Sequence, residues 1–350
     1  MKIAALIPAY QPDEKLIVLL EELSAKTDYF ILVINDGSRK ECDPIFEAAK
    51  QYSTVVAHEV NRGKGAAIKT GISYITEHTD CEGIVTLDAD GQHTVADTKK
   101  TVDALIEHPD SFIVGGREFT GNVPARSKFG NTVTRLVFKL STGATVRDTQ
   151  TGLRAFSCDV IKKLGELKGD RYEYEMNVLL ECTRREVPIY EIPIETIYIE
   201  ENKSSHFNPL KDSWKIYKLI IKFALPTLLL FLGSSVVSFV LDYALVMLFA
   251  RFIGDEHVWI YNTLARIISA TANYLINKFI VFKKTGKTAQ TFLAYCLLAA
   301  GILVVNNTIL HVLVNYTPID LAYAKWIVET VMFIASWFVQ RFIIFRRKKK

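Results

Sequence analysis

Four apolar stretches beyond residue 222, at 223–250, 258–282, 292–314 and 322–345, constrain this chain more than anything else in it. Each reaches or exceeds the roughly 20 residues an α-helix needs to cross a hydrocarbon core. In a bilayer every backbone N–H and C=O must be satisfied internally, which leaves helices as the form such runs can take. Buried helices of a large soluble domain would not come four in succession. The sequence therefore predicts an all-α transmembrane domain of four helices over 223–350. Lys211, Lys215, Lys218 and Lys222 precede the first span, Lys283, Lys284 and Lys287 follow the second, and residues 346–350 are all basic. The opposite loops carry chiefly Arg251. By the positive-inside tendency both termini face the cytosol, in a multi-pass cytoplasmic-membrane protein.

Residues 1–208 follow a different pattern. Apolar runs of strand length at 3–7, 30–34, 84–87 and 112–114 alternate with helix-period segments at 16–23, 66–75 and 96–106. Such alternation predicts a Rossmann-like, mostly parallel α/β sheet with helices on both faces. Ligands of such sheets bind outside the carboxyl ends of the strands, and that is where the polar residues gather. The net charge of +4 is too small to argue for nucleic acid as a partner, and five scattered cysteines fit reduced thiols of a cytosol-facing domain. Lys2 is followed by only a short apolar run to Pro8, so no cleavable signal is expected, and no internal repeat is evident. Between the halves, residues 209–222 form a connector. Leu210, Trp214, Tyr217 and Ile221 recur at helical spacing, with Lys211, Lys215, Lys218 and Lys222 one residue on. This suits an interfacial amphipathic helix on the lipid bilayer.

The most chemical segment is Val85-Thr86-Leu87-Asp88-Ala89-Asp90-Gly91-Gln92-His93. Residues i and i+2 of a strand point to one side, so Asp88 and Asp90 can converge at its end. Two hard oxygen donors without thiolates suit Mg²⁺ or Mn²⁺; a surface turn is the plainer alternative. Asp36, in Asn35-Asp36-Gly37-Ser38, could accept hydrogen bonds from a ribose or base edge, or simply cap a turn. Asn61-Arg62-Gly63-Lys64-Gly65 opens a helix with free N–H groups and cations, which favours anions, although it lacks Walker A spacing. Arg117, Arg126 and Arg154 are candidate phosphate cations, each with a solvated surface charge as the alternative. Asp148 lies on a polar loop, and Arg171-Tyr172-Glu173-Tyr174-Glu175 places acids at a probable helix start.

Together with Ile7-Pro8-Ala9-Tyr10, these motifs resemble those of glycosyltransferase family 2, in family order. The nearest branch is the dolichol-phosphate mannose synthase and polyprenyl-phosphate glycosyltransferase group, which Asp148-Thr149-Gln150-Thr151-Gly152 and the segment 202–209 also resemble. Asn35 departs from the acid often found there. Gln-x-x-Arg-Trp, the signature of processive synthases, is missing, which favours single transfer. The resemblance implies a GT-A fold, a metal-dependent reaction and inverting transfer of a hexose from a UDP- or GDP-sugar to a polyprenyl (undecaprenyl or dolichyl) phosphate for cell-envelope glycosylation. It also implies roles. Asp88, Asp90 and Gln92 hold or flank the metal. Pro8, Tyr10, Asp36, Lys64 and Asp88 bind the nucleotide sugar. Arg117, Arg126 and Lys203 contact phosphate, with Arg117, Arg126, Asp90 and Asp148 at the catalytic centre. Asp148 reads better as a positioner than as a base.

Within the spans, Asp242, Arg266 and Glu329 lie at a common depth, and an Asp242–Arg266 pair is expected. Phe231-Leu232-Gly233, Asp242, Arg266-Ile267-Ile268-Ser269-Ala270, Asn273, Asn277 and Phe282 resemble the GtrA-like four-span family. That resemblance leaves open a translocation role for the membrane half; a non-catalytic lipid-binding protein is the remaining alternative. Homo-oligomerisation is compatible with either half.

Overall fold

The computed structural model describes residues 1–117, 125–195, 211–253, 258–284, 286, 288–317 and 321–345. It divides into two compact units, Met1–Ile221 and Lys222–Lys350.

Among the described residues of the first unit, seven strands form one sheet: β1 (Ile3–Ala9), β2 (Phe30–Asn35), β3 (Thr54–Ala57), β4 (Gly83–Thr86), β5 (Phe112–Arg117), β6 (Arg154–Ser157) and β7 (Ile189–Ile194). Their order is β3-β2-β1-β4-β6-β5-β7. Helices α1 (Lys15–Lys26), α2 (Asp43–Ala49), α3 (Lys64–His78), α4 (Val95–Glu107), α5 (Ala125–Thr142), α6 (Cys158–Leu164) and α7 (Glu173–Arg184) fill the connections. Among the described residues the sheet is mostly parallel, as expected, and is made mixed by one reversed strand. β6 runs antiparallel to both β4 and β5, while the other neighbouring pairs are parallel. Strand β1 is buried along its whole length, because a strand covered on both faces reads as a continuous apolar run. α1 buries Leu16, Leu19, Leu20 and Leu23 against that layer. Thr94 caps α4, its hydroxyl accepting from the Asp97 amide, so the chain leaving β4 turns sharply at the sheet edge.

Helix α8 (Lys211–Ile253), 43 residues with Pro226 inside it, begins in the first unit and continues into the second, taking in residues of both the connector and the first expected span. It is followed by α9 (Val258–Ile276), α10 (Thr288–Tyr316) and α11 (Leu321–Val339). The connector side chains of residues 210–217 and Ile221 lie outside the described residues. Among the described residues these four helices include three segments long and apolar enough to cross a membrane: Lys218–Phe249, Thr288–Asn306 and Ile327–Ile344. The expected second span falls short because α9 and its terminal turn carry Asn262, Arg266, Asn273, Asn277 and Lys278. Several of these face inward as a polar hub. Asn273 donates to Ser238 Oγ at 2.9 Å, and Asn277 accepts from Ser234 Oγ at 2.6 Å and donates to Gln340 Oε1 at 3.1 Å.

The membrane unit also contains an internal repeat, contrary to expectation. α9 and α11 each have 19 residues and begin 63 apart, at Val258 and Leu321. Each runs into a five-residue π turn, Asn277–Val281 and Gln340–Ile344. Each turn closes on the same bond, Phe282 N to Asn277 O at 2.8 Å and Phe345 N to Gln340 O at 2.7 Å. The sequences beneath are Ala272-Asn273-Tyr274-Leu275-Ile276-Asn277-Lys278-Phe279-Ile280-Val281-Phe282 and Ala335-Ser336-Trp337-Phe338-Val339-Gln340-Arg341-Phe342-Ile343-Ile344-Phe345. Most positions substitute like for like, so identity hides what geometry reveals. The unit's core unites the equivalent pairs Tyr274/Trp337, Val281/Ile344 and Phe282/Phe345 with Phe231, and Phe282 stacks on Phe345 at 5.2 Å.

Candidate active site

The carboxyl ends of β1, β2, β4 and β5 and the entry to β6 lie on one edge of the sheet, as the strand directions require. Pro8 is buried in β1 opposite Ile34, and the half-buried Tyr10 hydroxyl accepts from the Gln11 side-chain amide at 3.0 Å. Asp36, just past β2, is not a surface contact. Its buried carboxylate accepts from Arg62 N at 2.9 Å, Gly63 N at 2.7 Å and Asn61 Nδ2 at 3.0 Å, with His58 Nδ1 2.7 Å away. A buried carboxylate has to be satisfied, and here the loop leading to α3 satisfies it. Asp36 thereby shapes the loop. Gly63 is held at φ +102°, and a Cβ there would stand 2.4 Å from the Asp170 carbonyl oxygen, so only glycine fits.

Shaped this way, the loop delivers Lys64 to the end of β4. The Lys64 ammonium lies 2.6 Å from Asp88 Oδ1 and 2.8 Å from Glu175 Oε1, and His93 Nε2 stands 3.6 Å from Asp88 Oδ2. Burial works to raise the Asp88 carboxyl, yet the charge of Lys64 and the hydrogen bond and charge of His93 hold it well below the usual carboxylate range. Burial opposes the Lys64 charge as well, but Asp88 and Glu175 keep that ammonium firmly protonated. Asp90 shifts the other way: burial, then the charge of Asp88, raise it. The Gln92 backbone amide donates to Asp90 Oδ1 at 3.1 Å. Gly152 makes room, since a Cβ there would lie 2.3 Å from Asp88 Oδ2.

Two carboxylates two residues apart at one strand end, one of them raised by burial and by the other's charge, fit a divalent cation. Among the described residues no group of three or more His, Cys, Asp or Glu side chains is placed to hold a metal ion. Held by Asp88 and Asp90 alone, an ion would take its remaining ligands from outside the protein, as Mg²⁺ sites commonly do with phosphate oxygens.

Arg117 ends β5 and grips Asp148, with Nε at 2.5 Å from Oδ2 and Nη2 at 3.2 Å from Oδ1. Asp148 is wholly buried and also accepts from Gln150 N at 3.0 Å. Its loop is further tied by Glu191 on β7, which accepts from the Arg147 amide at 2.5 Å. Arg154 is neither a surface charge nor a phosphate ligand. It is buried and donates to the carbonyls of Thr151, Glu175 and Thr149 at 2.9, 2.7 and 3.2 Å, binding the 148–152 loop to the start of α7. Glu175 was legible only as a first-turn acid of a helix; the structure makes it a partner of Lys64. Arg126 lies on α5 with its side chain outside the described residues, and Lys203 lies outside them altogether.

In the membrane unit Arg266 Nη2 stands 3.6 Å from Asp242 Oδ2, and Ser269 Oγ donates to Asp242 Oδ1 at 2.8 Å. Glu329 occupies an exposed position on α11.

Residues 4–165 match the family model for glycosyl transferase family 2, and residues 230–345 match that for the GtrA/DPMS transmembrane domain. An uncharacterised protein of Methanocaldococcus jannaschii is 32% identical over 227 residues, spanning 63% of this chain and 92% of that protein. The UDP-N-acetylglucosamine–dolichyl-phosphate N-acetylglucosaminyltransferase of Methanococcus voltae is 31% identical over 237 residues, spanning 62% of this chain and 94% of the relative. Among solved structures, glucosyl-3-phosphoglycerate synthase of Mycobacterium tuberculosis with Mn²⁺, UDP and phosphoglyceric acid aligns at a TM-score of 0.48 and 15% identity, over 64% of this chain and 78% of that one. The chain belongs to glycosyltransferase family 2, with a GT-A-like mixed sheet joined to a GtrA-like membrane domain.

Proposed function

We propose that this protein transfers a hexose from a nucleotide-diphosphate sugar to a polyprenyl phosphate with inversion, at the cytosolic face of the membrane. The observation that carries this reading is the convergence of Asp88, Asp90 and Lys64 on the edge where the family motifs meet. A membrane domain in the same chain and a relative named for transfer to dolichyl phosphate support a lipid-phosphate acceptor. Basic residues flanking the apolar segments support cytosolic termini.

A phosphate monoester's second pKa is about 6, so the acceptor is already substantially anionic near neutral pH and needs little help from a general base. The work left to the protein is placement and charge. Asp88 and Asp90 would hold a divalent ion, Mg²⁺ or Mn²⁺, which would supply charge neutralisation for the diphosphate. Lys64 adds a cation beside it. Asp148, with both oxygens on Arg117, acts as a positioning residue and fixes that guanidinium at the sheet edge to meet phosphate. Arg126 and Lys203 are the other cations assigned to phosphate by family resemblance.

The test uses purified full-length protein in lipid with Mn²⁺ or Mg²⁺, undecaprenyl or dolichyl phosphate, and a panel of UDP- and GDP-sugars. Mass spectrometry should find a lipid-monophosphate sugar that is lost with Asp90→Asn, and NMR of the product should find the inverted anomer. Turnover that persists in Asp90→Asn, or after chelation of divalent ions, would overturn the reading.

A further inference from the structure

Lys64 stands where a divalent ion would compete for Asp88. Its ammonium contacts Asp88 Oδ1 at 2.6 Å and Glu175 Oε1 at 2.8 Å, and both carboxylates are largely shielded from solvent. The three groups come from separate places: the first residue of α3, the end of β4 and the first turn of α7. A second cation against the same Asp88 oxygen would meet Coulomb repulsion in a site of reduced dielectric. Glu175 is anchored independently, because Arg154 grips its carbonyl at 2.7 Å. That fixes the backbone from which the Glu175 carboxylate reaches the ammonium when Asp88 changes partner.

The geometry points to a cation exchange in which Lys64 is the resident counter-ion of Asp88, and divalent-ion binding hands its ammonium over to Glu175 and the incoming diphosphate. No covalent bond changes; an ion pair is traded. The inference rests on the glycosyltransfer reading above and adds a rule to it. Ion and donor bind as a coupled pair, since the diphosphate receives the lysine that the ion displaces. Glu175 is then a positioning residue, the anion that keeps the displaced ammonium from being stranded in a buried site.

Titration of Mn²⁺ alone into the full chain in detergent, followed by the EPR signal of free Mn²⁺, reads this directly. Lys64→Met removes the competitor and should tighten Mn²⁺ binding by about tenfold. Glu175→Gln leaves the displaced lysine without an anion and should weaken it by a similar factor. A generally damaged fold would weaken both. Tightening of Mn²⁺ by UDP or GDP should be larger in the unmodified protein than in Lys64→Met. Unchanged or weaker Mn²⁺ binding in Lys64→Met, with unfolding temperature retained, would overturn the exchange. If Lys64→Met does not fold, unchanged affinity in Glu175→Gln overturns it instead. Absence of Mn²⁺ binding in every form, with UDP and GDP tested, would overturn the metal-dependent reading itself.

Discussion

Asp36 is a single carboxylate on which a whole loop depends. Its donors come from residues 58–63, more than twenty positions along the chain, which is why the sequence left it open between a ligand contact and a local cap. Asp36→Ala would strand the buried Gly63 N–H and the part-buried Arg62 N–H, at a cost of about 2 kcal/mol, measurable by chemical unfolding. Gly152 carries the opposite lesson. In sequence it is one glycine among eighteen, yet a Cβ there would intrude on Asp88. Gly152→Ala should preserve the unfolding temperature to within a few degrees while lowering turnover by about a hundredfold, because a displacement near 1 Å at a reacting centre costs that much. Wild-type turnover in Gly152→Ala would show that Asp88 has slack the packing does not suggest.

At the level of elements, legibility followed burial. β1, β2, β4 and β5 are apolar and buried, and the sequence marked all four. β3 is only partly buried, β6 is four residues opening with Arg154, and β7 carries Glu191 and Pro193. None of these three has the run or alternation that identifies a strand. β6 matters most, since its reversal carries the Asp148 loop into the site. Glu191 anchors that loop from β7, and burial raises its carboxyl above the ordinary range despite the amides of Arg147 and Asp148. A raised folded-state pKa means that the folded form favours the protonated acid. The resulting stability is fully present below the unfolded value of about 4.3 and is lost as pH rises through the folded one. Glu191→Gln should therefore match the parent in acid and gain on it as pH climbs to neutrality, in thermal unfolding followed across that range. A constant difference between the two would mean that Glu191 does not titrate differently on folding.

At the scale of the whole molecule, the break between soluble and membrane units was plain from hydropathy, but the membrane unit's inner order was not. Its repeat escaped notice because the halves preserve shape and polarity more than identity: Tyr274 answers to Trp337, Asn277 to Gln340, Lys278 to Arg341. α9 is less apolar than the other three helices because it carries an inward polar face. Intramembrane hydrogen bonds average about 0.6 kcal/mol. Asn277→Ala, which loses those to Ser234, Asn273 and Gln340, should accordingly cost about 2 kcal/mol in detergent unfolding. Exchanging the pair, as Asn277→Gln with Gln340→Asn, should cost less than the two alanine variants together; an equal or greater loss would deny the halves their equivalence. Equivalent halves also imply that the covalent link between them is dispensable. Cut after Gly286 and co-expressed, the fragments 1–286 and 287–350 should find one another in the bilayer as two subunits would, through the matched faces of the two helix–turn segments.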